Sequence, residues 1–195
     1  MNWRFYSFLS VVVYIMVCCF GCDRVGEYKA LVNKELDTGV KNDTLIHGIR
    51  FGMNKREFFA HCWELNKQGV FKEGAFNTSV FYEIVKNEKR YNINFYPKFE
   101  QGIITELPLE YTYAAFAPWN SEYTMDKLQS EVVDMYVEKH GEYDLQISSE
   151  KSENKIAYVW VQGNQRISIY KDDFRNKVIV LYFDLSSQSR DENQL

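Results

Sequence analysis

Ile49-Arg50-Phe51-Gly52-Met53-Asn54-Lys55-Arg56-Glu57-Phe58-Phe59 is the stretch on which the fold turns. Asn54 is a residue type that caps helix N-termini, and Glu57 stands three positions later, where its carboxylate can reach back to the cap amide. Phe58, Phe59, Cys62 and Leu65 then recur at helical spacing, Lys55, Arg56, His61, Glu64 and Lys67 fall mainly on the solvated side, and Gly69 stops the helix. Three strand signals follow. Residues 80–85 and 91–95 flank a polar turn through Asn87, and Gly102 opens 103–107, which Pro108 is expected to end or to place at a sheet edge.

The same order returns further on. Thr124-Met125-Asp126-Lys127 leads into a helix whose stripe is Leu128, Val132, Met135 and Tyr136, with Gly141 as its stop. The two helical stretches, 53–69 and 125–141, are equal in length. Strands are read at 157–161, at 166–170 across a Gly163-Asn164 turn, and at 178–183, where Val178-Ile179-Val180-Leu181-Tyr182-Phe183 is apolar on both faces and reads as a fully buried strand. The pattern predicts an α+β chain of two tandem units, 44–115 and 116–185, each a helix packed on a three-stranded antiparallel meander.

Outside these units the composition changes. From Phe5 to Cys22 no residue is charged, and Arg4 precedes the run, which is the layout of an export signal over residues 1–21. Cys19-Phe20-Gly21-Cys22 resembles the bacterial lipobox, in which a small residue precedes the cysteine that receives lipid. That resemblance implies cleavage before Cys22 and acylation of its thiol, although the uncharged run is also long enough for an uncleaved membrane anchor. Asp23, next in line, resembles the inner-membrane retention signal of enteric bacteria; the choice of inner or outer membrane stays open. Residues 22–43 read as a lipidated tether with one short helix carrying Tyr28, Leu31, Val32 and Leu36, and 186–195 as a disordered tail.

The helix lead-in Gly52-Met53-Asn54, with Phe58 and Phe59 behind it, resembles the Gly-Met-Thr motif of the small outer-membrane lipoproteins of the SmpA/OmlA kind, and of the tandem-unit inhibitor of β-lactamase that shares their fold. His140-Gly141-Glu142-Tyr143-Asp144 is similar to that group's Gly-x-Pro-Asp helix exit, without the proline. The resemblance implies a tandem fold and an envelope scaffold or inhibitor, and it transfers no binding residue.

Little in the chain points to catalysis. His47, His61 and His140 are far apart in sequence and in no metal-ligand spacing, and no phosphate-binding glycine loop or nucleophile elbow occurs, so no cofactor is expected. Cys62 reads as a buried small hydrophobe beside an exposed His61, His140 as a partly protonated cap on the free carbonyls of the last helical turn, and Lys127 with Glu131 as an ordinary i,i+4 pair. Loss of Arg4 with the signal leaves 22 basic residues against 27 acidic ones, a net charge of −5, and no polybasic run, which argues against a nucleic-acid partner. Five aromatic residues, Tyr111, Tyr113, Phe116, Trp119 and Tyr123, crowd the connection between the units. They either join one unit to the other or form a surface for a partner. The expected function is a non-enzymatic binding or assembly module of the bacterial envelope, anchored to the membrane through Cys22, with an envelope protein or glycan as partner; a glycan-binding or glycan-processing accessory is the alternative.

Overall fold

In the computed structural model, which describes residues 24–74, 79–115, 121–148 and 156–187, the capping box is formed. The Glu57 amide donates to Asn54 Oδ1 at 3.0 Å and the Asn54 amide donates to Glu57 Oε2 at 2.9 Å, so two of the free donors at the helix start are satisfied locally. In chain order the elements are α1 (Arg24–Asp37), α2 (Lys55–Lys67), β1 (Lys72–Glu73), β2 (Val80–Lys86), β3 (Lys89–Phe95), β4 (Lys98–Glu100), β5 (Ile103–Tyr113), a 3-10 turn (Ser121–Tyr123), α3 (Met125–His140), β6 (Leu145–Ser148), β7 (Ile156–Gln162), β8 (Gln165–Asp172) and β9 (Lys177–Asp184).

Among the described residues the strands form a single antiparallel sheet of nine strands in the order β1-β2-β3-β5-β9-β8-β7-β6, with β4 alongside β5. This corrects the expectation of two tandem helix-on-meander units. The two meanders are fused through their last strands, β5 and β9, which pair from Glu106 with Phe183 to Tyr111 with Val178. The reason lies in the edges: β5 is an 11-residue strand, and β9 is apolar on both faces, so each needs a partner along the side that a separate meander would leave open. The helices are also unequal, 13 residues in α2 and 16 in α3.

Pro108 neither ends β5 nor sits at an edge. The Ala114 amide donates to Arg90 O, so even-numbered residues of β5 turn their N–H groups toward β3. β3 stops at Phe95, opposite Leu109, and the missing N–H of Pro108 therefore faces the place where the β3 ladder has finished.

One face of the sheet carries the main core. Tyr91, Ile93 and Phe95 of β3, Leu107, Leu109 and Tyr111 of β5, Ile167 and Ile169 of β8, and Val178, Val180 and Tyr182 of β9 are covered by Phe58 and Cys62 of α2, by Leu128, Val132 and Tyr136 of α3, and by Leu45, Ile49 and Phe51. α3 does not keep to a unit of its own. α3 contacts β8 and β9 and also reaches back to the β2–β3 hairpin, where Glu138 pairs with Lys86 and Glu131 with Lys89. The opposite face is covered at its β6–β7 end by α1, whose Tyr28, Leu31, Val32 and Leu36 pack on Val159, Val161, Phe183 and Leu185. The last turn of α1 and the segment after it are fastened to the β7–β8 turn: the Gly163 amide donates to Glu35 Oε2, the Asn42 amide donates to Asn164 Oδ1 at 2.7 Å, and Gln165 Nε2 donates to the carbonyls of Asn42 and Thr44.

Candidate binding site

The outward side of α2 carries aromatic rings where a solvated helix face would ordinarily carry charge. Phe58 and Cys62 are buried, but Phe59, expected beside them in the core, is 52% exposed, and Trp63 one turn later is 61% exposed. Successive residues on a helix point about 100° apart, so the step from Phe58 to Phe59 takes the second ring out of the core stripe. Tyr96, just after β3, is exposed as well and lies 6.5 Å from Phe59 between ring centroids. Tyr96, Phe59 and Trp63 thus form a strip along α2, and Lys67 Nζ sits 5.6 Å from the centroid of the Trp63 ring.

Beside this strip an open cleft of about 460 Å³ runs between α2 and the β1 edge of the sheet. Phe59, Cys62, Trp63 and Asn66 line it from α2, Phe71, Lys72 and Glu73 from the segment leading into and through β1, and Ser79 and Val80 from the start of β2. Close approach of β1 to β2 needs Gly74: a Cβ there would meet Ser79 Oγ at 2.2 Å and Ser79 O at 2.8 Å. Asn66 Nδ2 donates to Phe71 O at 2.9 Å, and its side-chain oxygen has no hydrogen-bond donor among the described residues. Lys72 pairs with Glu83 at 3.3 Å, whereas the Glu73 carboxylate has no ion pair among the described residues. Burial pushes the Cys62 thiol up to about 12, so at neutral pH it is a packed thiol and not a nucleophile.

The aromatic residues expected at the connection are distributed otherwise. Tyr111 and Tyr113 belong to β5 and are buried. Tyr111 lies in a chain of buried hydroxyls, hydrogen-bonded to Tyr82 and Tyr136, and Tyr182 donates to Tyr136 at 3.1 Å. Tyr113 and Tyr91 both donate to Glu131 Oε2, at 2.7 and 2.9 Å, and Tyr123 meets Tyr113 edge-on at 4.9 Å. Phe116 and Trp119 lie outside the described residues, as do Cys22 and the export signal. Burial raises the Glu131 carboxyl, but hydrogen bonds from Lys89, Tyr113 and Tyr91 outweigh it and hold the group below the usual carboxylate range. Lys127, the partner expected for Glu131, pairs with Glu122 instead.

Histidine placement differs from expectation in two respects. His61 is half-buried, with Nε2 2.6 Å from His47 O, and so braces the turn before α2 and faces away from any pairing with the Cys62 thiol. At His140 the surroundings oppose the partial protonation expected of a helix cap. Its ring stacks on Tyr136 at 5.6 Å, its Nε2 is buried without a hydrogen-bond partner, and burial followed by the charge of Lys139 lowers its pKa against an opposing hydrogen bond to Gln162. Among the described residues no group of three or more His, Cys, Asp or Glu side chains could hold a metal ion, and no helix is long and apolar enough to cross a membrane.

What sequence reading missed was the α2 strip, although its signal was present: Lys55, Phe59, Trp63 and Lys67 share one i,i+4 row. No family model and no curated protein matches the chain. Among solved structures it is similar to the crystal structure of a DUF4309 family protein, YjgB, from Bacillus subtilis subsp. subtilis str. 168, with 14% identity over 80% of this chain and 94% of that one and a TM-score of 0.30.

Proposed function

We propose that the chain is a non-enzymatic binding module of the bacterial cell envelope, held to a membrane by acyl chains on Cys22 and recognising its partner through the cleft beside α2. The observation that carries the reading is the exposed strip of Phe59, Trp63 and Tyr96 bordering an open cleft of about 460 Å³. Contiguous exposed rings next to a concave surface with a few polar groups are the usual form of a recognition site. The lipobox-like Cys19-Phe20-Gly21-Cys22 supports the anchor, and the lead-in Gly52-Met53-Asn54 supports kinship with envelope lipoproteins. α1 begins two residues after Cys22 and packs on the sheet through Tyr28, so an anchor at Cys22 would hold the folded part close to the bilayer surface.

Two measurements test this. Labelled palmitate should enter the wild-type chain and not Cys22→Ser; equal membrane retention of both, unlabelled, would leave the uncleaved apolar run as the anchor. Hydrogen–deuterium exchange of the full chain, with and without solubilised fractions of its native envelope, should show protection confined to residues 55–73 and lost in Trp63→Ala. Protection elsewhere, or none, refutes the cleft as the binding site.

A further inference from the structure

The chemistry of the cleft narrows what it can hold. Three classes of occupant fit an aromatic cleft at the edge of a sheet: an added peptide strand, an anionic bilayer surface, and a small polar molecule with one apolar face.

A peptide strand would have to be held by the β1 edge. β1 has two residues, and its register with β2, Lys72 opposite Phe81 and Glu73 opposite Val80, together with the Gly74 amide donating to Ser79 O, turns the backbone groups of Lys72 and Gly74 toward β2. Among the described residues of this edge only Glu73 is left with an outward-facing N–H and carbonyl, too few main-chain bonds to hold an added strand. An anionic bilayer would need an excess of basic residues on α2. Lys55, Arg56 and Lys67 are there, but Glu57 and Glu64 offset two of them, and Glu64 is paired with Lys67 at 2.9 Å.

The third class matches the lining. Phe59 and Trp63 offer flat apolar faces, while Asn66, Glu73 and Ser79 supply acceptors and hydroxyl chemistry beside them. Lys72 is already paired with Glu83, which leaves the Glu73 carboxylate as the lining's unpaired charge among the described residues, an acceptor that disfavours anions and that a sugar hydroxyl can meet. A wholly apolar molecule would strip water from these polar groups without replacing their hydrogen bonds. We infer that the cleft binds an uncharged saccharide, whose ring C–H groups stack on Trp63 and Phe59 while its hydroxyls bond to Glu73 and Asn66. Tyr96, further along the strip, extends the stacking surface and favours an oligosaccharide over a single sugar. The inference rests on the cleft's being the binding site proposed above.

The test is a calorimetric titration of the full-length chain in detergent with neutral oligosaccharides: the β-1,4-linked N-acetylglucosamine tetramer, cellotetraose and maltotetraose. At least one should bind saturably. Trp63→Ala should weaken that binding tenfold or more and Trp63→Phe only a few-fold, with melting temperature unchanged in both because the ring is 61% exposed. Absence of saturable binding across the set, or binding indifferent to Trp63→Ala, overturns the inference. A parallel titration with an apolar naphthalene-sulfonate dye separates the two levels of failure. Dye binding that Trp63→Ala abolishes, without saccharide binding, rejects the saccharide and keeps the cleft; binding of neither rejects both.

Discussion

Cys62 shows how a single atom type is held by its surroundings. Cys62 is 9% exposed, where the inner side of α2 meets the floor of the cleft, and burial alone raises its pKa. Cys62→Ser should destabilise the protein by about 1 to 3 kcal/mol, because a hydroxyl there is buried without a partner. The urea midpoint would fall at unchanged slope, and thiol reagents should react with the folded chain far more slowly than with the unfolded one. His140 gives a pH dependence whose sign follows from its lowered pKa. Below about pH 6.5 the unfolded chain binds a proton that the folded chain refuses, so stability is full above that value and declines as pH falls toward the folded pKa. His47, lowered by burial, then by His61 and Lys139, acts in the same direction. Replacing the ring by His140→Phe, which keeps a stacking partner for Tyr136, should flatten the profile of melting temperature between about pH 5 and 7. An unchanged profile would show that the His140 ring binds its proton equally well in the folded and the unfolded chain.

At the scale of elements, α3 is placed by one half-buried carboxylate more than by its exposed charges. Glu131→Ala would leave the Tyr91 and Tyr113 hydroxyls and the Lys89 ammonium without their shared acceptor, at a cost of roughly 2 to 3 kcal/mol. Glu138→Ala removes a pair whose carboxylate is 66% exposed and should cost within about half a kcal/mol. Chemical denaturation of the two variants side by side decides this ordering. Gly163 is a second element-level constraint. Its φ is +59°, and a Cβ would meet Val40 O at 2.3 Å, so Gly163→Ala should push residues 38–44 off the β7–β8 turn. Faster amide exchange at Asn42, whose N–H bonds to Asn164, would report it.

Considered whole, the molecule has a six-pair strand ladder, from Glu106 with Phe183 to Tyr111 with Val178, at the place where two units would have parted. Residues 44–115 alone would expose the β9-facing edge of β5 and the core residues Leu107, Leu109 and Tyr111, so this fragment should not fold. The full chain should unfold in one transition, with near- and far-ultraviolet circular dichroism coincident; two resolved transitions would mean that the halves are independent.

The local features were legible from residues alone because their causes are local. Asn54 and Glu57 satisfy each other three residues apart, Gly163-Asn164 closes a turn between adjacent strands, and six apolar residues in a row at 178–183, with β-branched Val178, Ile179 and Val180 among them, favour a buried strand. Even Phe59 and Trp63 stood in readable register on the outer row of α2. Pairings over long sequence distances left no such trace. Nothing in residues 103–113 or 177–184 names the other as neighbour, and Glu131 has an acceptable partner at i−4 in sequence yet bonds to Lys89, Tyr91 and Tyr113 instead. Strand edges are chemically alike, each a row of N–H and carbonyl groups. Which edges meet is therefore set by the burial of the whole apolar surface at once, and that choice turned two expected sheets into one.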